Sequence, residues 1–148
     1  MEKLCSFCRN SEILCQSCKK KLDEGKLTQM EVDVAHALNP YEAVKIVDAG
    51  KILIMVKPVD ARVIIGKGGS GVKKLEEKLG RRVKIVEQSN DRKTLAEDVL
   101  RLRVIGVNVL YDKGEKLRIR VSGERRASKV DIEILAKLYG KDVNVVYE

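Results

Sequence analysis

The sequence has no tryptophan, one phenylalanine, four tyrosines and a single histidine in 148 residues. So few aromatic rings exclude a function built on stacking bases across an aromatic platform. His36, the lone histidine, falls on a helix with apolar neighbours, where it reads as structural and not as a base or ligand. Glu76 and Glu77 are adjacent, so as helical neighbours they do not face a common point. No nucleophile–base constellation remains, and the chain is read as not an enzyme. Met1-Glu2-Lys3-Leu4-Cys5 lacks an apolar signal core, and no stretch approaches the roughly 18 apolar residues of a membrane span. A cytoplasmic, unexported protein with no membrane partner is expected.

Positive charge, by contrast, is abundant. Thirty Lys and Arg oppose 22 Asp and Glu, giving +8 and a pI near 9.4, a balance that favours polyanionic partners. Residues 60–93 hold ten of the cations and five acids, so this stretch carries +5 of the total. Hydrophobic residues, at 44%, suffice for a core. All four cysteines lie in the first 18 residues as Cys5-x2-Cys8-x6-Cys15-x2-Cys18. In an unexported chain, that spacing indicates metal more than disulfides. Four thiolates make a complete tetrahedral shell for structural Zn2+, with iron or an unmetallated dithiol pair as the alternatives. A head this small would draw its folding free energy from the metal.

Along the chain the pattern alternates. The head, residues 1–27, ends in a polar run. Thr28 and Glu31 then form a capping box, and Met30, Val34 and Leu38 recur at helical spacing until Asn39-Pro40. Strands are expected at 42–48 and 51–57, and an apolar segment Ala61–Ile65 precedes a glycine loop. A helix from Ser70 closes at Gly80, and a strand follows at 82–87. Beyond Ser89-Asn90-Asp91 the pattern predicts a helix (92–102), strands at 103–111 and 116–122 around Asp112-Lys113-Gly114-Glu115, a helix (127–139) and a last strand (142–147). Residues 74–86 resemble 134–146 at an offset of 60, with Gly80 opposite Gly140, and Lys51–Ile54 resemble Lys116–Ile119 at an offset of 65. The reading is a full unit, residues 28–90, followed by a degenerate repeat, residues 91–148.

The glycine loop, Gly66-Lys67-Gly68-Gly69, runs directly into the N-terminus of the Ser70 helix, where unpaired N–H groups and the helix dipole favour an anion. Glycine removes the β-carbons that would hold a sugar–phosphate backbone away. Neither a Walker loop nor a dinucleotide fingerprint fits this spacing. Lys73 and Lys74 add charge in the helix's first turns.

At this point the sequence resembles the KH (hnRNP K homology) family. The resemblance rests on Val63-Ile64-Ile65-Gly66-Lys67-Gly68-Gly69, on the helix bearing Val72, Leu75 and Leu79, and on the strand around Val83-Lys84-Ile85. The α-β-β-α-loop-α-β order is similar to the type II arrangement, and most similar to the KH segments of NusA-type transcription factors and their archaeal relatives. The resemblance implies an α+β fold: a type II KH domain and a degenerate KH-like repeat behind a small four-cysteine zinc-binding module. It also implies that the loop clamps about four single-stranded nucleotides, with bases on an aliphatic groove. Candidate RNA-binding residues are Ile64, Ile65, Gly66, Lys67, Gly68, Gly69, Lys73, Lys74, Arg81, Arg82 and Lys84; Val72 and Ile85 are further groove candidates. Arg118, Arg120, Arg125 and Arg126 form a second basic group. The expected metal ligands are Cys5, Cys8, Cys15 and Cys18.

The partner expected is single-stranded RNA, either ribosomal RNA or a nascent transcript, with ribosome or RNA-polymerase contacts. Single-stranded DNA stays open, because a phosphate grip does not detect the 2′-hydroxyl. The alternative is a protein-interaction adaptor using the head, with a vestigial loop.

Overall fold

A computed structural model describes residues 4–11, 13–111 and 114–148. Two short helices, α1 (Ser6–Arg9) and α2 (Gln16–Asp23), form the head. Next come α3 (Gln29–Leu38), β1 (Ala43–Ala49), β2 (Lys51–Val56), α4 (Pro58–Ile65), a 3-10 turn (Lys67–Gly69), α5 (Ser70–Leu79) and β3 (Val83–Glu87). The chain ends with α6 (Arg92–Leu100), β4 (Arg103–Tyr111), β5 (Glu115–Ser122), α7 (Lys129–Tyr139) and β6 (Asp142–Tyr147). Part of the hairpin at Asp112 and Lys113 lies outside the described residues.

Local chemistry sets most of these limits. The Glu31 N–H donates to Thr28 Oγ1 at 3.1 Å while the Thr28 N–H donates to Glu31 Oε1 at 3.2 Å, a reciprocal cap that starts α3. Asp91 and Ser128 accept from the Lys93 and Asp131 N–H groups and start α6 and α7. Pro58 sits in the first turn of α4, where its missing N–H costs nothing.

Each unit builds a three-stranded sheet, β1-β2-β3 and β4-β5-β6. In each, the first pair is antiparallel and the second parallel. The pairing itself repeats. Ile52 pairs with Val83 and Leu117 with Val143, so the two partners are displaced by 65 and 60 positions, as the sequence offsets require. A register shift falls between Ala43 and Lys45 in β1 and between Val104 and Gly106 in β4, 61 positions on in both cases. Gly80 (φ 67°, ψ 21°) ends α5 and Gly140 (φ 66°, ψ 26°) ends α7, each in the left-handed region that glycine enters without a steric cost. The second unit differs by omission. Between β5 and α7 the described residues include no counterpart of α4, and residues 123–128 take the place of α4 and the glycine loop.

Strand β2 is buried on both faces, which accounts for its unbroken apolar run, Ile52 to Val56. Ile52, Ile54 and Val56 face α3, α4 and α5, packing with Val34, Leu38, Ala61, Ile64, Leu75, Val83 and Ile85. Leu53 and Met55 face the other way, into a core shared with Leu95, Val99, Ile119, Val121, Ile134 and Leu135 of the second unit. Helices α6 and α7 therefore lie between the two sheets, and one core bridges both repeats. Lys45 and Lys137 fasten this junction by donating to the carbonyls of Leu138 and Asp48, at 3.1 and 3.0 Å. Among the described residues, no helix is long and apolar enough to cross a membrane.

Candidate nucleic-acid interface and metal centre

Helix α4 stops because Gly66 adopts φ 73°, ψ 173°. Gly68 (φ 62°) and Gly69 (φ 78°) follow in the left-handed region, so the chain reverses within four residues and enters α5. A β-carbon at Gly68 or Gly69 would meet nothing within 4 Å, which leaves the outer surface of the loop clear for an approaching backbone. Gly69 is the N-cap of α5 and no side chain caps it, whereas α3, α6 and α7 are all capped by side chains. No side chain accepts from the first-turn N–H groups of α5, of which that of Ser70 donates to the Lys67 carbonyl. Lys67, Lys73 and Lys74 are exposed around them. The arrangement can hold a phosphate through main-chain donors and mobile ammonium groups.

A further glycine, Gly71, makes this geometry possible. Its own β-carbon would lie 1.9 Å from the Ile64 carbonyl oxygen, so the first turn of α5 can meet the last turn of α4 only without one. The sequence reading did not single it out; its signal was the Gly-x4-Gly spacing from Gly66.

The aliphatic candidates divide by exposure. Ile64 and Ile85 are each 7% exposed and belong to the core, while Ile65 and Val72 are half-buried against it. The open apolar surface of α4, the helix that leads into the loop, is instead Val59 (81% exposed) and Val63 (60%), one turn apart. Their i, i+4 spacing, outside the buried stripe of Ala61 and Ile64, was the available signal.

The basic candidates also divide. Arg81 is ion-paired with Asp48 at the β1–β2 turn. Arg82 and Lys84 lie near the far end of α5 from the loop, in a cleft of about 360 Å³ between the repeats. Strand alternation explains this, since Val83 and Ile85 turn into the first core and Lys84 turns away from it. The basic candidates therefore fall in two clusters, roughly the 15 Å length of α5 apart.

In the head, the two knuckles repeat at an interval of ten residues. Cys5 and Cys15 are N-caps of α1 and α2 with nearly the same backbone angles (φ −67°, ψ 162° and φ −71°, ψ 167°), and Cys8 and Cys18 follow three positions later. All four sulfurs lie within 4.8 Å of one another. A tetrahedral ion with bonds of about 2.3 Å needs sulfurs about 3.8 Å apart, so the donor set fits one ion of that size. The Cys15 N–H donates to Cys8 Sγ at 3.1 Å and the Cys5 N–H to Cys18 Sγ at 3.5 Å. The Cys8 N–H lowers the Cys5 thiol to about 7, and the Cys18 N–H lowers that of Cys15. At Cys8 the Cys15 N–H works downward too, but burial and the neighbouring sulfurs outweigh it and push the thiol up to about 12. Four thiolates together require a cation, and backbone donors already favour charge on these sulfurs.

The head is built onto the next unit. Cys8 and Cys18 pack with Leu4, Leu27 and Val32. His36 Nε2 hydrogen-bonds the Cys8 carbonyl at 2.8 Å, which gives this half-buried histidine a structural partner.

Residues 28–141 match the family model described as KH domain. No curated protein matches the sequence significantly. Among solved structures, the crystal structure of APE1850 superposes with a TM-score of 0.61 at 24% identity, over 76% of this chain and 91% of that one. At that identity the likeness concerns the fold. With the family match spanning more than half of its length, on a mixed fold that carries the glycine loop between two helices, this chain belongs to the KH-domain family of nucleic-acid-binding modules.

Proposed function

We propose that this protein binds single-stranded RNA through Gly66-Lys67-Gly68-Gly69 and the exposed surface next to it. The observation that carries this reading is the start of α5, which no side chain caps, behind three glycines of positive φ and with Lys67, Lys73 and Lys74 exposed close by. Bases would lie against Val59 and Val63, with Ile64 and Ile85 supporting that surface from the core. The three units are the head (1–27), the KH unit with the loop (28–90) and the degenerate repeat (91–148). The head holds structural zinc, because sulfur-only tetrahedral ligation leaves no open coordination position. The NusA-like character of the sequence points to transcription elongation or termination, or to ribosome assembly or function, in the cytoplasm.

The test compares the native chain with a Lys67→Asp, Gly68→Asp variant in fluorescence anisotropy on single-stranded RNA at two salt concentrations. Both positions are exposed, and Asp tolerates the left-handed region better than most residues. RNA affinity falls at least tenfold while circular dichroism and metal content stay the same; a Val59→Ser, Val63→Ser variant weakens binding less and flattens the salt dependence little. Equal binding by native and loop variants would move function to the head and its protein partners.

A further inference from the structure

The degenerate repeat has no glycine loop, yet the place where that loop would be is not blank. Residues 123–128 lead into α7 as the loop leads into α5, and they carry Arg125 and Arg126. Both side chains line the cleft between the repeats, together with Lys51, Arg82, Lys84, Arg101, Glu76 and Asp131. Lys51 is committed to Asp131, at 2.6 Å. Among the residues lining this space of about 360 Å³, five cations then remain against one carboxylate, Glu76, with Asp98 also near enough to act on Lys84.

Three features describe how these cations are held at the cleft. Arg101 is the one non-glycine residue with positive φ among the described residues (φ 54°, ψ 37°), and this conformation, disfavoured by its β-carbon, ends α6 at the cleft. Arg126 is held over the Tyr147 ring, 4.0 Å from its centroid, and the Tyr147 hydroxyl accepts from the Ala127 N–H at 3.0 Å, which fixes the segment's course. Lys84 is half-buried, and burial first, then the Arg101 guanidinium, depress its pKa despite Asp98 and Asp131. A cluster of like charges in which one ammonium is partly desolvated is destabilised until an anion enters.

We propose that this cleft between the repeats binds a phosphate of the same single-stranded RNA, as a second site that uses side chains where the first uses main-chain donors. The proposal rests on the RNA reading above, and it changes the footprint. A short oligonucleotide occupies the glycine loop alone, while a longer strand reaches both sites, which stand about one α5 length apart.

The experiment measures anisotropy of an RNA tetramer and an RNA dodecamer with four forms of the full chain: native, Arg82→Glu with Arg125→Glu, the loop variant above, and a charge-matched control, Lys93→Glu with Lys116→Glu. All four substituted positions of the cleft and control pairs are exposed. The neutral pair Arg82→Gln with Arg125→Gln repeats the test with a smaller perturbation. The cleft variants are expected to lose about tenfold in dodecamer affinity and to lower the salt slope by roughly 0.7, one phosphate contact on a single strand, with tetramer binding unchanged. Dodecamer binding equal to the control would overturn the cleft and leave the loop reading intact. A loss in the cleft variants with none in the loop variant would support the cleft and overturn the loop. No dodecamer binding by the native chain would overturn both.

Discussion

The Ile64 carbonyl oxygen occupies the space into which a β-carbon on Gly71 would project, 1.9 Å away. Helices α4 and α5 meet through this contact, and the glycine loop between them takes its shape from it.

Gly71→Ala therefore forces the two helices apart. Overpacking against main-chain atoms costs about 1–3 kcal/mol, and the displaced loop should lose RNA affinity as well. Urea unfolding and anisotropy measure the two effects on one variant. Unchanged stability would mean that α4 and α5 do not depend on this close approach.

The head should depend on its metal. Cys8→Ser, or chelation of the native chain, removes one bound ion per chain and unfolds α1 and α2, while the sheets persist because their cores share no residue with the head's. Metal analysis with hydrogen exchange resolves this. Exchange protection retained in residues 13–23 after complete metal loss would count against a metal-dependent fold.

Asp48 and Arg81 give a small, pH-dependent contribution. The Arg81 hydrogen bond, more than its charge, lowers the Asp48 pKa below the ordinary 3.8. A lowered carboxylate stabilises the fold fully above the ordinary value, and that contribution is lost as pH falls through it toward the folded value. Both side chains are about a third or more exposed, so Asp48→Asn costs less than about 1 kcal/mol at pH 7 and less still near pH 2. Denaturation at the two pH values checks the sign; a penalty that grew on acidification would refute the pairing.

Features that depend on neighbours along the chain were legible without any coordinates. Thr28 and Glu31 cap a helix wherever they occur three apart before an apolar stripe, Gly80 and Gly140 end helices because only glycine enters the left-handed region freely, and two Cys-x2-Cys turns gather sulfur. The repeat was legible for the same reason, as matching local patterns at offsets of 60 and 65 that the strand registers reproduce. Packing between elements settled which face each residue serves. Ile64 and Val63 are neighbours in an apolar run, yet one is core and the other open to solvent, because α4 can bury only one stripe. Arg82 and Lys84 sit close in sequence to the glycine loop's helix but line a separate cleft, because α5 carries the chain its full length away before β3 turns Lys84 toward the second repeat. Charge near a motif in sequence was no guide to charge near it in space; that separation depends on helix length, strand alternation and the core that joins the two repeats.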